Sequence, residues 1–292
     1  MLDARRDSVA RFIGGNISLT PDIPDNFPFQ CFIGSNHSHL TEEKLAWVGR
    51  FGRRFDGKPT RMIHAGYVTY PWAADENTTR RSISDIHHSS VTANRLGIWG
   101  LNVHLPKEYH LIDGFHAHLD ACFKALEPPC VMLFELVGSS TALVGEGKLP
   151  KLPFDRLREC QPFIEEAAKK YRKEWGFCID TSHAFVQGQR ISTANEATES
   201  LKMLDLLNVK AMHLNGSKFP FNSGKDQHTG VGFPDDFIWA RDATGLVEIV
   251  KWGVEKKMPI ILERSHQTLP EDYSTEKEKI IELVLNKRNP RH

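Results

Sequence analysis

Three short apolar runs in this chain end in a carboxylate: residues 131–134 run into Glu135, 177–179 into Asp180 and 260–262 into Glu263. A carboxylate at the end of a buried strand is costly unless it is paired or bound to a cation. Several of them meeting at one place would repel one another without a compensating positive charge. Imidazoles stand in similar positions. His64, His104 and His213 close other apolar runs, His183 follows Asp180 by three residues, and the tripeptide Asp226-Gln227-His228 lies in a long polar loop. A single strand-end histidine is ordinarily a satisfied polar residue. The conjunction of five imidazoles and four carboxylates points to metal. No thiolate belongs to the set, and imidazole-rich donors suit Zn²⁺, with Mn²⁺, Fe²⁺ and Co²⁺ as chemical alternatives. At roughly three or four protein ligands per ion, with a carboxylate bridging, the set suits two or three ions rather than one.

Such residues are far apart along the polymer, so the fold has to gather them. Short β-rich runs at 11–18, 29–34, 60–65, 98–105, 130–135, 176–181, 209–215 and 258–263 alternate with longer amphipathic stretches at 40–55, 75–96, 110–126, 154–175, 193–207, 243–257 and 271–286. That alternation predicts an α/β fold with one parallel (β/α)₈ barrel spanning residues 1–292, flexible at 1–10 and 287–292. In such a barrel every strand delivers its C-terminal end to the same face. The first crossover, Pro-rich, reads as having no helix, and the irregular stretch 216–240 is long enough to carry function. His87, His88, His116 and His118 fall on helix surfaces away from strand ends.

Composition is that of a globular protein, with 40% hydrophobic and 25% charged residues. Lys plus Arg equals Asp plus Glu, 37 against 37, so the bare chain has no net charge with which to attract nucleic acid. Its five cysteines form no CxxC pair and suggest a reducing, intracellular setting. No apolar stretch is long enough to span a membrane, so no membrane partner is expected.

The run Gly176-Phe177-Cys178-Ile179-Asp180-Thr181-Ser182-His183-Ala184-Phe185 resembles a signature of the endonuclease IV family of apurinic/apyrimidinic endonucleases. So do Met212-His213-Leu214-Asn215 with Ser217-Lys218, Asp226-Gln227-His228, Leu262-Glu263 and His64-Ala65-Gly66-Tyr67. The resemblance implies a single barrel of the xylose-isomerase-like superfamily holding three zinc ions. One would be bound by His64, His104 and Glu135, a second by Glu135, Asp180, His213 and Glu263, and a third by His183, Asp226 and His228. It further implies incision of duplex DNA on the 5′ side of an abasic site by a hydroxide bridging two metals. Glu135 and Glu263 would be central to the catalysis, and the products a 3′-hydroxyl and a 5′-deoxyribose phosphate. Asn36, Tyr67, Val68, Lys218 and Lys225 would touch DNA, and a monomer is implied. Tyr70-Pro71-Trp72 and Leu262-Glu263-Arg264 resemble members found in large DNA viruses, for which the host cytoplasm or nucleus and the virion would be the place of action.

The chain departs from the family pattern in its loops. Gly216 stands where Asp is usual, and Gly232-Phe233-Pro234 replaces Gly-Glu-Gly. Leu136-Val137-Gly138-Ser139 replaces Asn-Thr-Ala-Gly, and His37-Ser38 follows Asn36 where Arg is common. Two rival functions share the barrel. A metal-dependent sugar isomerase or epimerase needs one or two ions and leaves His183 with Asp226 and His228 unexplained. A non-catalytic, metal-stabilised DNA-binding protein leaves a complete ligand set without a use.

Overall fold

The computed structural model describes residues 2–19, 23–24, 27–32, 60–66, 68–106, 108–138, 151–265, 267 and 269–286. Strands β1 (Ile13–Asn16), β2 (Phe29–Phe32), β3 (Arg61–His64), β4 (Gly100–Leu105), β5 (Val131–Leu136), β6 (Trp175–Asp180) and β7 (Val209–His213) follow one another around a cylinder. A two-residue hairpin intervenes, β8 (Gly216–Ser217) with β9 (His228–Thr229), before the last barrel strand β10 (Ile260–Leu262). β10 pairs in parallel with both β7 and β1, Ile260 lying opposite Ile13, and the barrel closes. The fold is the (β/α)₈ barrel that the alternation predicts.

The helices are α1 (Leu2–Ala10), α2 (Glu76–Leu96), α3 (Phe115–Ala125), α4 (Pro153–Tyr171), α5 (Thr181–Val186), α6 (Ala194–Leu204), α7 (Thr244–Glu255) and α8 (Ser274–Asn286). Their ends follow local chemistry. The Asp75 carboxylate accepts the Thr78 amide at 2.7 Å to open α2, and Gly97 at φ 69° closes it. Gly114, also at φ 69°, sets the start of α3 at Phe115; His110 and Leu111, expected to belong to the helix, lie in a separate 3₁₀ turn, Tyr109–Leu111. Arg172 at φ 53° ends α4, so the stretch expected to run helical to Trp175 is split between a helix and the start of β6. Thr193 and Glu196 form a reciprocal cap on α6.

One expectation is corrected. Residues 2–10 are not a loose extension but α1, which packs on α8, with Val9 buried and Arg6 paired with Glu278. The sequence is too polar to announce that helix; its stability comes from the tertiary contact. The helix expected at 40–55 and the tail 287–292 lie outside the described residues. Among the described residues no helix is long and apolar enough to cross a membrane.

The apolar interior has two parts. Strand residues such as Ile63, Leu101, Phe134 and Ile179 face outward and join Ile86, Leu119, Ile164 and Ile249 of the surrounding helices. Inside the cylinder Met62, Val131, Leu133, Cys178, Ala211 and Ile261 form a separate plug. A strand repeats every two residues, so the positions two beyond this plug also point inward. Those positions are His64 after Met62, Glu135 after Leu133, Asp180 after Cys178, His213 after Ala211 and Glu263 after Ile261. Burying each large aliphatic side chain of the plug contributes about 1.5–3 kcal/mol, so a polar cluster can rest on a stable floor. Gly15 matters to the wall beside it: a Cβ there would lie 2.4 Å from the ring of Tyr273, whose hydroxyl donates to the Asn16 carbonyl at 2.6 Å.

Candidate metal centre

Register brings the strand ends side by side, with His104 opposite Glu135 and Asp180 opposite His213. Glu135 is the hub. Its Oε2 lies 3.6 Å from His64 Nε2 and 3.8 Å from His104 Nε2, and its Oε1 lies 3.0 Å from His183 Nδ1 and 3.2 Å from His213 Nδ1. His213 Nδ1 also lies 3.8 Å from Asp180 Oδ2 and 3.4 Å from Glu263 Oε2. On the far side His183 Nε2 lies 3.1 Å from Asp226 Oδ2 and 3.4 Å from His228 Nε2, which is 3.3 Å from Asp226 Oδ1 and 3.6 Å from Asp180 Oδ2. All nine residues read as ligands therefore meet at one mouth. Within it, His64, His104 and Glu135 form one group able to hold an ion, Asp180, His213 and Glu263 another, and Asp180, His183 and His228 a third.

Two pieces of local structure accomplish the last of these. The Asp180 Oδ1 atom accepts the His183 amide at 2.8 Å and so opens α5 directly at the strand end, turning His183 back over the mouth. The β8–β9 hairpin, with Ser217 opposite His228, carries the long loop back to the same place. That hairpin is tied down by Asp236, which accepts the amides of Ser217 (3.1 Å), Gly232 (2.7 Å) and Ile238 (2.8 Å). A Cβ on Gly216 would lie 2.7 Å from the Asp236 carboxyl carbon. The missing side chain at position 216 is what admits Asp236. Gly138 has a similar purpose, since a Cβ there would lie 2.4 Å from His183 Cδ2 and 2.7 Å from Asp226 Cγ.

The ligands are held by groups that the sequence reading did not single out for this task. His64 Nδ1 faces the Ala65 carbonyl at 2.6 Å and His183 Nδ1 the Leu136 carbonyl at 2.8 Å, turning each Nε2 inward. The Asn102 amide donates to Glu135, and Asn215 Nδ2 donates to Asp180 Oδ2 at 2.7 Å and Glu263 Oε2 at 3.1 Å. Gln30 joins His213 to Glu263. Asn102 had a signal, being two residues before His104 on the same strand face. Gln30 had one too, as a lone polar residue between Phe29 and Cys31. The structure also adds Cys178 to the floor beside Glu135 and His213, although no thiol was expected there; burial pushes that thiol up to about 12.

In the metal-free chain the charges balance through protons. Burial disfavours the imidazolium of His183, yet Asp180 and Asp226 outweigh it and hold the ring well above the usual imidazole range. His213 is raised in the same way, against burial, by Glu135 and Glu263 among others. Burial, with His64 and His183 nearby, pushes His104 down to about 4, so the ring is neutral at pH 7. Glu135 and Asp226 lie well below their ordinary range because, against burial, neighbouring imidazoles favour their ionised forms, whereas burial raises Asp180. A site of inward nitrogens and ionised oxygens that protons must otherwise neutralise is chemically suited to divalent metal.

The mouth opens to a cavity of about 700 Å³ whose wall includes Asn16, Phe32, Lys218, His228, Glu263 and Gln267. Lys218 is thus at the mouth. Lys225 is exposed farther along the loop, its Nζ 5.3 Å from the Phe219 ring. Val68 is 66% exposed just beyond β3. Asn36 and Tyr67 lie outside the described residues.

Fold and site together define a parallel barrel with a candidate metal centre at its C-terminal mouth. No protein-family profile matches the chain. Curated relatives do. It is 26% identical over 277 residues to a probable endonuclease 4 of Halobacterium salinarum, covering 87% of this chain and 93% of that one. It is 26% identical over 249 residues to a probable endonuclease 4 of Thermoplasma acidophilum, covering 80% and 84%. Over most of its length the chain is thus similar to proteins of the endonuclease IV family. The fold agrees: the solved structure AsfvAP:AG superposes with a TM-score of 0.70 at 19% identity over 95% of this chain and 98% of that one. Endonuclease IV from Thermus thermophilus gives 0.66 at 18% over 94% and 99%. A D-tagatose 3-epimerase-like protein has a similar fold, at 0.58 and 16% over 95% and 99%.

Proposed function

We propose that this protein is a DNA repair nuclease of the abasic-site endonuclease type, cutting the phosphodiester on the 5′ side of an abasic site in duplex DNA. The products would be a 3′-hydroxyl and a 5′-deoxyribose phosphate. The observation that supports the reading is the cluster of His183 and His228 around Asp226, joined to the other six candidate ligands through Glu135 and Asp180. A sugar isomerase with one or two ions has no use for it.

The donor set fits zinc. His64, His104 and Glu135 would hold one ion, Glu135 with Asp180, His213 and Glu263 a second, and His183, Asp226 and His228 a third, Mn²⁺ or Fe²⁺ being tolerated by the same donors. Bound divalent ions lower the pKa of water towards neutrality and offset the charge that builds on phosphate during displacement. The chain's own residues do the positioning. Asn102 holds Glu135 between two ligand groups, and Asn215 holds Asp180 and Glu263 against each other. Lys218 offers a cation to a phosphate entering the mouth, Lys225 one farther along the strand, and Val68, with Asn36 and Tyr67, contacts at the lesion. Three divalent ions would also give a chain of zero formal charge a strongly positive mouth, which answers how it attracts DNA. The protein would act as a monomer.

The test is a duplex carrying one abasic analogue. A nick on its 5′ side, lost on chelation and restored by zinc, is the expected result. An intact duplex alongside turnover of a ketose would transfer the protein to the isomerases.

A further inference from the structure

Gln30 is fully buried on β2, between Phe29 and Cys31, which belong to the outer core. A carboxamide in that position needs a reason. Its Nε2 donates to Glu263 Oε1 at 2.6 Å, and its Oε1 lies 2.8 Å from His213 Nε2. The two contacts determine each other. An ionised carboxylate only accepts, so the amide nitrogen must face Glu263 and the amide oxygen must face His213. An amide oxygen also only accepts, so His213 must carry its proton on Nε2. Once the ring gives up its second proton to a metal, the lone pair is then on Nδ1, the atom that lies between Glu135, Asp180 and Glu263.

We propose that Gln30 is the positioning residue for the ion shared by Asp180, His213 and Glu263: it selects the His213 tautomer and fixes the plane of the Glu263 carboxylate. The inference rests on the metal centre proposed above. It gives one side chain on β2, a strand that supplies no ligand, control over two ligands from β7 and the end of β10.

The experiment uses the full chain and zinc itself. Gln30→Leu removes both hydrogen bonds at nearly constant volume, and Gln30→Met does so with an unbranched side chain should the Leu variant not fold. Zinc content after dialysis, competition with a chromophoric chelator, and long-range ¹H–¹⁵N spectra of histidine-labelled protein are recorded for each. In zinc-loaded wild type, His213 should show an Nε2–H tautomer. In the variants one ion should be held about 10–100-fold more weakly while the others are retained, and the His213 signal should become mixed or shift. Circular dichroism should be unchanged. Variants that keep every ion at wild-type affinity overturn the role of Gln30 and leave the metal centre standing. An Nδ1–H tautomer in the zinc-loaded wild type does the same. A wild-type protein that takes up no zinc removes the metal centre, and Gln30's role with it.

Discussion

Gly138→Ala would add a single methyl group, and the structure says where it goes. The new Cβ would lie 2.4 Å from His183 Cδ2 and 2.7 Å from Asp226 Cγ. Carbon atoms pack at about 3.5–4.0 Å, so both neighbours have to yield, each by about 1 Å. The His183 ring is buried and tied to the Leu136 carbonyl at 2.8 Å, whereas the Asp226 side chain is 30% exposed. Asp226 moves the more freely of the two, while His183 is pressed against its tie to Leu136. Metal–ligand distances tolerate about 0.2 Å, so a displacement of about 1 Å removes Asp226 from coordination. We expect the ion held by His183, Asp226 and His228 to be bound at least about 100-fold more weakly, about 2.7 kcal/mol, with the other two retained. Elemental analysis after dialysis should fall from three ions to two, and incision of the abasic duplex should fall with it. The overpacking itself should cost the metal-free fold no more than about 1–3 kcal/mol, visible in its melting temperature. A Gly138→Ala protein with three ions and wild-type incision would refute the reasoning.

Three further outcomes follow from the same geometry. Glu263→Gln should abolish incision, by about 100-fold or more, while leaving the barrel folded, because it replaces an acceptor of the Gln30 and Asn215 amides by a third amide; a variant with most of its activity would overturn the ligand assignment. Asp236→Ala leaves the amides of Ser217, Gly232 and Ile238 without their acceptor, at about 1–3 kcal/mol for each buried one, and should accelerate hydrogen exchange at those three positions; unchanged exchange would show that the loop does not depend on Asp236. The folded metal-free protein raises His183 and His213 above the free imidazole value of about 6.5. Their stabilisation is complete below that value and is lost as pH rises through the raised ones. The melting temperature of chelator-treated protein should therefore fall on going from about pH 6 to 9, while zinc binding, freed from proton competition, strengthens. A flat metal-free profile would count against charged imidazoles in the cluster.

The centre was legible because a parallel barrel translates strand ends into spatial neighbours. With Glu135, Asp180 and Glu263 terminating apolar runs, the strand period leaves them little choice but to point inward together. The orienting residues were harder, since Gln30 and Asn102 depend on which strands become neighbours and on their register. α5 was hidden because Asp180 has two tasks, as strand-end ligand and as helix cap, and a six-residue helix has no periodicity to read. α1 was missed because its few apolar residues matter only once α8 is beside it. The β8–β9 hairpin inside the long loop is two residues per strand, below what alternation can signal.

The pairing of Gly216 with Asp236 has a practical corollary for anyone recombining this protein with its kin. The Asp236 carboxylate occupies the space a side chain at 216 would need, so the two sites behave as a single allele: placing Asp at 216 alone would drive two carboxylates into one volume. Chimaeras that exchange the entire 216–240 stretch should tolerate transplantation, and those whose crossover falls inside it should not.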